Sequence, residues 1–360
     1  MTEERIEVEQ NKCTACGANM VFDIESGGLA CRHCGSKTEF NDTEEVTRRR
    51  ICEELLSTNP QWSEGSVFQC SNCGAKEVLD KKTLARKCAF CGSAKIVAID
   101  ELPGIRPDSV IPFQITESMA VERFKKWIKT RWFAPSSFKK SSDIRKQMNA
   151  IYSPCWSLSS QTTNQYRGVL GRTTTVQVRS GNGFRTQSRV SWFKVSGAID
   201  QDYIDQMYKS GQRISSRNFN ALKPFDINLI RIYRQEYLSG IIAEHYTLTL
   251  EQCFREFALM IKRDVRHRIT RKHGADRIQS LDVQTEFNTR KFNYVLLPIY
   301  ISNYTYKGKL YNFYINGATG KVVGKHPKSK LKIWGLILGV GTLVGAVVAA
   351  AVVRIMLYTI

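Results

Sequence analysis

The chain has 360 residues, of which 42% are hydrophobic and 24% are charged. This length allows two or three domains with a buried core, and the apolar content excludes a disordered or collagen-like chain. The formal net charge of +20 favours an anionic partner, such as nucleic acid or an anionic membrane surface.

The charge is unevenly distributed along the chain. Residues 1–102 carry 13 bases and 17 acids, a balance of −4. Residues 103–360 carry 40 bases and 16 acids, a balance of +24. A partner rich in phosphate groups is therefore expected to contact the second part of the chain.

Eight of the eleven cysteines form two quartets near the N-terminus. Each quartet has two C-x-x-C pairs that are each followed by Gly, with 14 residues between the pairs. The second quartet repeats the first at an offset of 57 residues, which indicates a duplicated module. The cysteines are Cys13, Cys16, Cys31 and Cys34 in site 1, and Cys70, Cys73, Cys88 and Cys91 in site 2.

This spacing is typical of four-cysteine zinc ribbons. Two residues between thiolates allow both to bind one tetrahedral ion, and the following Gly can adopt positive φ. We therefore expect two structural Zn²⁺ ions, although a rubredoxin-like iron centre would use similar ligands and stays open. Because the modules are acidic and four thiolates outweigh one zinc ion in charge, they favour a protein partner over nucleic acid.

The rest of the chain shows both helix and strand patterns. Apolar periodicity predicts helices at 117–131, after an N-cap at Thr116, and at 250–272, where Thr249 and Gln252 resemble a capping box. Alternating apolar residues predict strands at 169–179, 188–197, 293–306, 309–316 and 321–324. The expected body is an α+β domain that ends in an antiparallel meander.

The C-terminal part contains an uncharged stretch of 21 residues between Lys332 and Arg354. A helix of this length spans about 30 Å, the thickness of the hydrocarbon core of a bilayer. Five lysines precede the stretch, so the positive-inside rule predicts a single-pass protein of the cytoplasmic membrane with its N-terminal region in the cytoplasm. These membrane-proximal basic residues are Lys321, Lys325, Lys328, Lys330 and Lys332.

These features together predict a domain organisation. The fold class is two zinc-ribbon β modules, an α+β body with antiparallel strands, and a single C-terminal transmembrane helix. The expected domains are zinc ribbon 1 (1–40), a helical linker (41–60), zinc ribbon 2 (61–102), a linker (103–112), a basic α+β domain (113–326) and a transmembrane tail anchor (333–353).

No catalytic motif supports an enzyme. The phosphate-binding loop of nucleotide-driven motors is absent, as are the common hydrolase, metalloprotease and dinucleotide-binding motifs. The adjacent pair Glu244 and His245 is the first place to look for a base and its orienting partner, but a satisfied polar pair in a half-buried strand is the commoner arrangement.

Several stretches of the chain resemble a family of bacterial membrane-anchored zinc-ribbon proteins of uncharacterised role. Descriptions of that family invoke a transcription-factor-IIB-type zinc ribbon or a primosomal replication helicase (replication factor Y). The resemblance implies a cytoplasmic zinc-ribbon head, an α+β body and at least one membrane span, and it implies no established activity. The matching stretches are 110–140, 151–168, 223–246 and 294–327, the last containing NGATGKVVG.

Three functions are consistent with these features. The first is a non-catalytic, tail-anchored membrane protein whose zinc ribbons recruit a protein partner, with anionic lipid beneath the basic body. Small residues in the predicted span also allow a homodimer through that helix. The second is a membrane-associated protein that binds nucleic acid through the basic body, and the third is an enzyme of unknown type.

Overall fold

The computed structural model describes residues 12–40, 46–51, 66–71, 76–79, 96–99, 105–140, 148–180, 183–239 and 241–336, together with 342 and 345. The strands are β1 Met20–Asp23, β2 Gly28–Cys31, β3 Lys37–Thr38, β4 Arg49–Arg50, β5 Ser66–Cys70, β6 Lys76–Leu79, β7 Ile96–Ile99, β8 Ser109–Val110, β9 Met148–Ser180, β10 Gly183–Lys209, β11 Arg231–Ile232, β12 Ile242–Glu244, β13 Arg277–Phe287, β14 Lys291–Tyr306, β15 Lys309–Asn316 and β16 Val322–Gly324. The α-helices are α1 Glu117–Lys129, α2 Ser136–Lys140, α3 Ser216–Leu222 and α4 Leu250–Lys272. Short 3-10 turns lie at Ile227–Leu229 and Gln235–Leu238.

The described strands form two sheets. Strands β1, β2 and β3 make a small antiparallel sheet around the first cysteine quartet. The other thirteen strands belong to one mostly antiparallel sheet, with the path β11-β8-β14-β9-β12-β6-β5-β7 and with β4, β10, β13, β15 and β16 attached at its sides.

Strand β9 organises the large sheet because it uses both of its edges. One edge pairs with β10 from residue 155 to residue 180, after a short parallel pairing with β12. The other edge pairs with β14 over residues 148–159 and then with β13 over residues 162–171. Beyond Gly171, β10 is the only described strand that pairs with β9.

Strand β9 has three different environments along its length. Residues 151–160 are all buried, as expected for a strand that is covered on both faces. Residues 161–167 alternate between exposed and covered, which is the pattern of a strand with one solvent face. Residues 174–179 are all exposed, so here the strand has left the core.

Two of the predicted helices are confirmed together with their capping residues. Thr116 accepts a hydrogen bond from the Met119 amide at the start of α1. A reciprocal capping box between Thr249 and Gln252 opens α4. The apolar face of α4 is buried in the same core cluster as Tyr166 and Leu170 of β9.

The α+β fold class predicted for the body needs correction, because strands dominate the described residues. The strands predicted at 169–179 and 188–197 belong to β9 and β10, which are 33 and 27 residues long. Gly168, just before the first of these predicted strands, allows close approach of β13: a Cβ there would lie 2.3 Å from the Ser280 carbonyl oxygen. Cross-strand pairing therefore continues past positions where the local sequence suggests a break.

The meander at the end of the body is confirmed. Strands β14, β15 and β16 pair antiparallel in sequence order. Lys307 and Gly308 form the first turn, with φ of 50° and 74°. Positive φ at both central residues is the requirement of a type I′ hairpin turn, which matches the twist of the two strands.

The predicted transmembrane tail anchor at 333–353 is also corrected. In the part of the chain that the structure describes, no helix is both long and apolar enough to cross a membrane. The single-pass membrane localisation, which depended on that helix, is likewise not supported. Of the predicted span, the structure describes residues 333–336, 342 and 345, and the other positions lie outside the described residues.

The module with the first cysteine quartet contacts the body through aromatic side chains. The rings of Phe22 and Phe40 lie 5.3 and 5.1 Å from the ring of Tyr237, and the Phe22 amide donates to the Ser239 carbonyl. The helical linker predicted at 41–60 is described only at 46–51, where Arg49–Arg50 pair with β14 as a short strand instead.

Candidate functional site

Four cysteines of the first module form a compact sulfur cluster. Cys13 and Cys31 are buried, whereas Cys16 and Cys34 are exposed, and all four Sγ atoms lie within 4.8 Å of one another. The Sγ–Sγ distances are 3.3 Å for Cys13–Cys34 and 3.5 Å for Cys16–Cys31. Thiolates around one tetrahedral zinc ion are about 3.8 Å apart, so this cluster could bind a metal ion.

The two halves of the cluster have the same backbone geometry. Gly17 and Gly35 have φ of 72° and 79°, and their amides donate to the carbonyls of Cys13 and Cys31. Because this conformation favours glycine, the Gly after each C-x-x-C pair turns the chain back toward the metal position. The Ser36 hydroxyl lies 3.2 Å from the Cys34 sulfur and lowers the pKa of that thiol to about 6.

The second cysteine quartet is described only in part. Cys70 is buried at the end of β5, and Cys73, Cys88 and Cys91 lie outside the described residues. Strands β5, β6 and β7 pair with one another and join the large sheet through the pairing of β6 with β12.

Two of the five lysines near the C-terminus donate hydrogen bonds to backbone carbonyls of the body. Lys321 donates to the Lys223 carbonyl, and Lys332 donates to the Ala134 carbonyl at 2.9 Å. The three lysines between them are exposed, and they are Lys325, Lys328 and Lys330.

Glu244 and His245 are both buried in the body. The Glu244 carboxylate accepts hydrogen bonds from the amides of Gln212 and Arg213 and from the Ser153 hydroxyl. Burial raises the pKa of Glu244 to about 7. His245 Nδ1 lies 2.7 Å from the Tyr246 carbonyl oxygen, so both side chains are within hydrogen-bond distance of groups of the body.

A projecting hairpin is the most distinctive surface feature of the body. We name residues 172–192 the β-arm, which consists of the outer parts of β9 and β10. Residues 174–179 and 183–189 are exposed without exception, on both faces of the hairpin. At about 3.3 Å per residue, each strand of the β-arm extends about 30 Å.

The β-arm is basic and partly apolar. It contains no Asp or Glu, and its cations are Arg172, Arg179, Arg185 and Arg189. Phe184 is 76% exposed and Trp192 is 50% exposed, and Val176 and Val178 are also exposed. Cross-strand pairs near the tip each join an apolar residue and an arginine: Phe184 is opposite Arg179, and Val178 is opposite Arg185.

The basic end of α4 lies at the root of the β-arm. Arg172 donates to the carbonyls of His273 and Gly274, which satisfies acceptors at the C-terminal end of the helix. Six of the eleven residues at 262–272 are Lys or Arg, and one is Asp. The β-arm and residues 262–272 together carry ten cations and one carboxylate.

The sequence reasoning missed the β-arm because its strands were predicted as separate short elements. The available signal was the absence of acidic residues between Arg167 and Lys194, together with the S-G-N-G turn between two Thr- and Val-rich strands. The sequence of the hairpin itself does not indicate whether another strand covers it.

One known relative covers nearly the whole chain. The uncharacterized protein YdjG of Bacillus subtilis (strain 168) is 30% identical over 333 residues, which include 91% of this chain and 93% of the relative. No family model and no solved structure matches the chain. Identity at this level across almost the full length of both proteins shows common descent, and the chain belongs to the family of YdjG.

Proposed function

We propose that this protein is a non-catalytic scaffold that recruits an acidic protein partner, and that the β-arm is its docking surface. The observation that carries this proposal is the exposed, acid-free β-arm with aromatic and aliphatic side chains among its arginines. Trp, Phe and Arg are enriched at protein interfaces, where a few such residues supply most of the binding free energy.

Two properties of the β-arm favour protein over nucleic acid. Among the described strands, none pairs with the outer edge of β10, so its backbone amides and carbonyls can accept an added strand. The exposed valines and Phe184 gain more from an apolar protein surface than from phosphate groups. The cations then select a partner of negative charge.

We further propose that the first cluster holds zinc and that the second quartet binds a second zinc ion, as expected of zinc-ribbon proteins. The duplication at an offset of 57 residues supports two equivalent sites. Metal analysis of the purified full chain should find two zinc ions per chain. Replacement of Cys13 and Cys16 by Ser should leave one, and an iron signal in the purified chain would contradict zinc.

Site-specific photo-crosslinking tests the docking surface. A photoreactive amino acid at position 184 in the full chain, used in cells of the source organism, should form a discrete protein adduct that resists nuclease. The control position is Leu310, which is 49% exposed on β15 and lies outside the β-arm. Equal adducts at both positions, or an adduct that nuclease removes, would contradict the proposal.

A pair of variants tests the contribution of the apolar side chains. Phe184→Ser with Val178→Ser should weaken capture of the crosslinked protein about tenfold or more, because both side chains are exposed and lie on the β-arm. Leu310→Ser removes a comparably exposed apolar group elsewhere and should leave capture unchanged. Equal loss of capture in both variants would show that capture depends on nonspecific contacts of exposed apolar residues and would contradict the proposal.

Nucleic acid is the second candidate partner, and one specific observation favours it. A two-stranded β-ribbon fits the major groove of duplex DNA, and the cations at the end of α4 could contact phosphates beside the groove. Binding to a duplex should weaken steeply as salt increases, and replacing Arg185 and Arg189 by Gln should reduce the salt dependence. Absence of binding at low salt would remove this candidate.

A further inference from the structure

A cavity of about 370 Å³ lies away from the cysteine cluster and outside the β-arm. Its walls are the end of β10, helix α3 and the middle of α4. This volume is within the range of pockets that bind small molecules. Neither the proposed docking surface nor the metal sites use it.

The cavity is lined by more positive than negative charge. Its cations are Lys209, Lys223 and Arg263, and its single carboxylate is Glu256. Within the described residues, no ion pair joins any of these three cations to a carboxylate. The lining therefore has an excess of two positive charges.

Lys223 is one of two partly buried cations in this lining, whereas Arg263 is exposed. Its ammonium donates to the Met207 carbonyl at 2.7 Å and lies 5.2 Å from the centre of the Phe219 ring. Burial lowers the pKa of Lys223. An ammonium in such a setting is stabilised when an anion replaces the water it has lost.

The lining also has an apolar part, which lies beside Lys223. Phe219 and Met207 are buried at 2% and 7% exposure, and Met260 also borders the cavity. An apolar body with one anionic group would therefore satisfy both parts of the lining.

We propose that this cavity binds a small organic anion, a carboxylate or a phosphate ester, with an aromatic or aliphatic body. Lys223 and Arg263 hold the anionic group, and the body packs against Phe219 and Met207. Carboxylate and phosphate share this recognition, and direct binding experiments separate them. The proposal does not depend on the function of the β-arm.

Calorimetric titration of the full chain with phenyl phosphate, benzoate and neutral benzyl alcohol tests this site. At least one of the two anions should bind saturably with a Kd of about 1 mM or lower, and benzyl alcohol should not. Phenyl phosphate alone would identify a phosphate site, and benzoate alone a carboxylate site. Saturable binding of neither anion, or equal binding of benzyl alcohol, would overturn the proposal.

Two variants and a matched control locate the binding. Lys223→Met and the more accessible Arg263→Met should each weaken anion binding about tenfold or more. Lys262→Met removes the neighbouring exposed cation of α4, which does not line the cavity, and should leave binding unchanged. Lys223→Met should also unfold at the same or a higher temperature without ligand. Equal weakening by Lys262→Met would overturn the assignment to this cavity.

Discussion

At the scale of single residues, the most informative side chain is Glu244. Its carboxylate is buried where two amides and a hydroxyl donate to it, and its pKa rises from 4.5 to about 7. Between these two pH values the unfolded chain holds fewer protons at this position than the folded chain. The free energy of unfolding therefore falls as pH rises through this window, by up to about 3 kcal/mol.

Glu244→Gln should remove most of this pH dependence. The Gln oxygen can still accept from the Gln212 and Arg213 amides, and no charge has to be buried above pH 7. Denaturant unfolding of both proteins at about pH 5 and about pH 8 measures the difference. The exposed Glu251→Gln is the control and should keep the slope of the unmodified protein. An unchanged slope in Glu244→Gln would show that this group does not titrate in the window.

A second residue-scale feature is an ion pair between distant parts of the chain. Arg48 contacts both oxygens of Asp205, a buried residue with φ of 47° at a bulge in β10. The Ser157 hydroxyl donates to the same carboxylate. Arg48 thus attaches the segment before β4 to the hairpin of β9 and β10.

Arg48→Met should destabilise the protein by about 2 kcal/mol, because it leaves the buried Asp205 carboxylate without its cation. Arg255→Met is the matched control, since Arg255 and its partner Glu251 are both exposed, and it should cost no more than about 0.5 kcal/mol. Chemical denaturation measures both values. Equal effects of the two substitutions would contradict a structural role of the Arg48 pair.

At the scale of elements, we expect the β-arm to contribute to partner binding and little to the stability of the fold. Its side chains are exposed on both faces, so it contributes little to the core of the body. Thr173 and Val190 are directly opposite in the ladder, where a two-residue Asn-Gly turn can join them.

Replacing residues 174–189 with that turn should change the free energy of unfolding by less than about 1 kcal/mol. The same variant should lose capture of the partner, because the proposed docking surface is gone. Denaturant unfolding and the crosslinking assay measure the two effects. A strongly destabilised variant would show that the β-arm supports the fold, and retained capture would exclude it as the docking surface.

At the scale of the whole molecule, the first ribbon and the body differ in what stabilises them. The described core of the ribbon contains Cys13, Met20, Leu29 and Cys31, whereas the body has large clusters of buried aromatic and aliphatic residues. For so small a core, we expect a metal ion at the cysteine cluster to offset the conformational entropy of the folded ribbon.

Removal of the metal with a chelator should therefore unfold the first ribbon and leave the body folded. Hydrogen exchange of the full chain should become fast at residues 12–40 and stay slow in β9 and β14. The two parts touch through the rings of Phe22, Phe40 and Tyr237 and through the hydrogen bond from the Phe22 amide to the Ser239 carbonyl. Unchanged protection at residues 12–40 after complete metal loss would contradict a metal-dependent ribbon.

The sequence by itself determined the features that depend on neighbouring residues. The cysteine spacing predicted the cluster at Cys13, Cys16, Cys31 and Cys34, and capping residues predicted the starts of α1 and α4. Turn and strand patterns likewise predicted the meander of β14 to β16. These signals are readable because their physical causes act within one turn or one ladder of the chain.

Only the tertiary structure decided the features that join distant residues. Arg48 and Asp205 are 157 positions apart, and the cavity combines β10, α3 and α4. The same holds for the β-arm, because whether a strand is exposed depends on which other elements cover it. The uncharged stretch at 333–353 also predicted a membrane span, which no helix among the described residues supports. Local sequence patterns do not predict such long-range packing, since burial is a property of the whole fold.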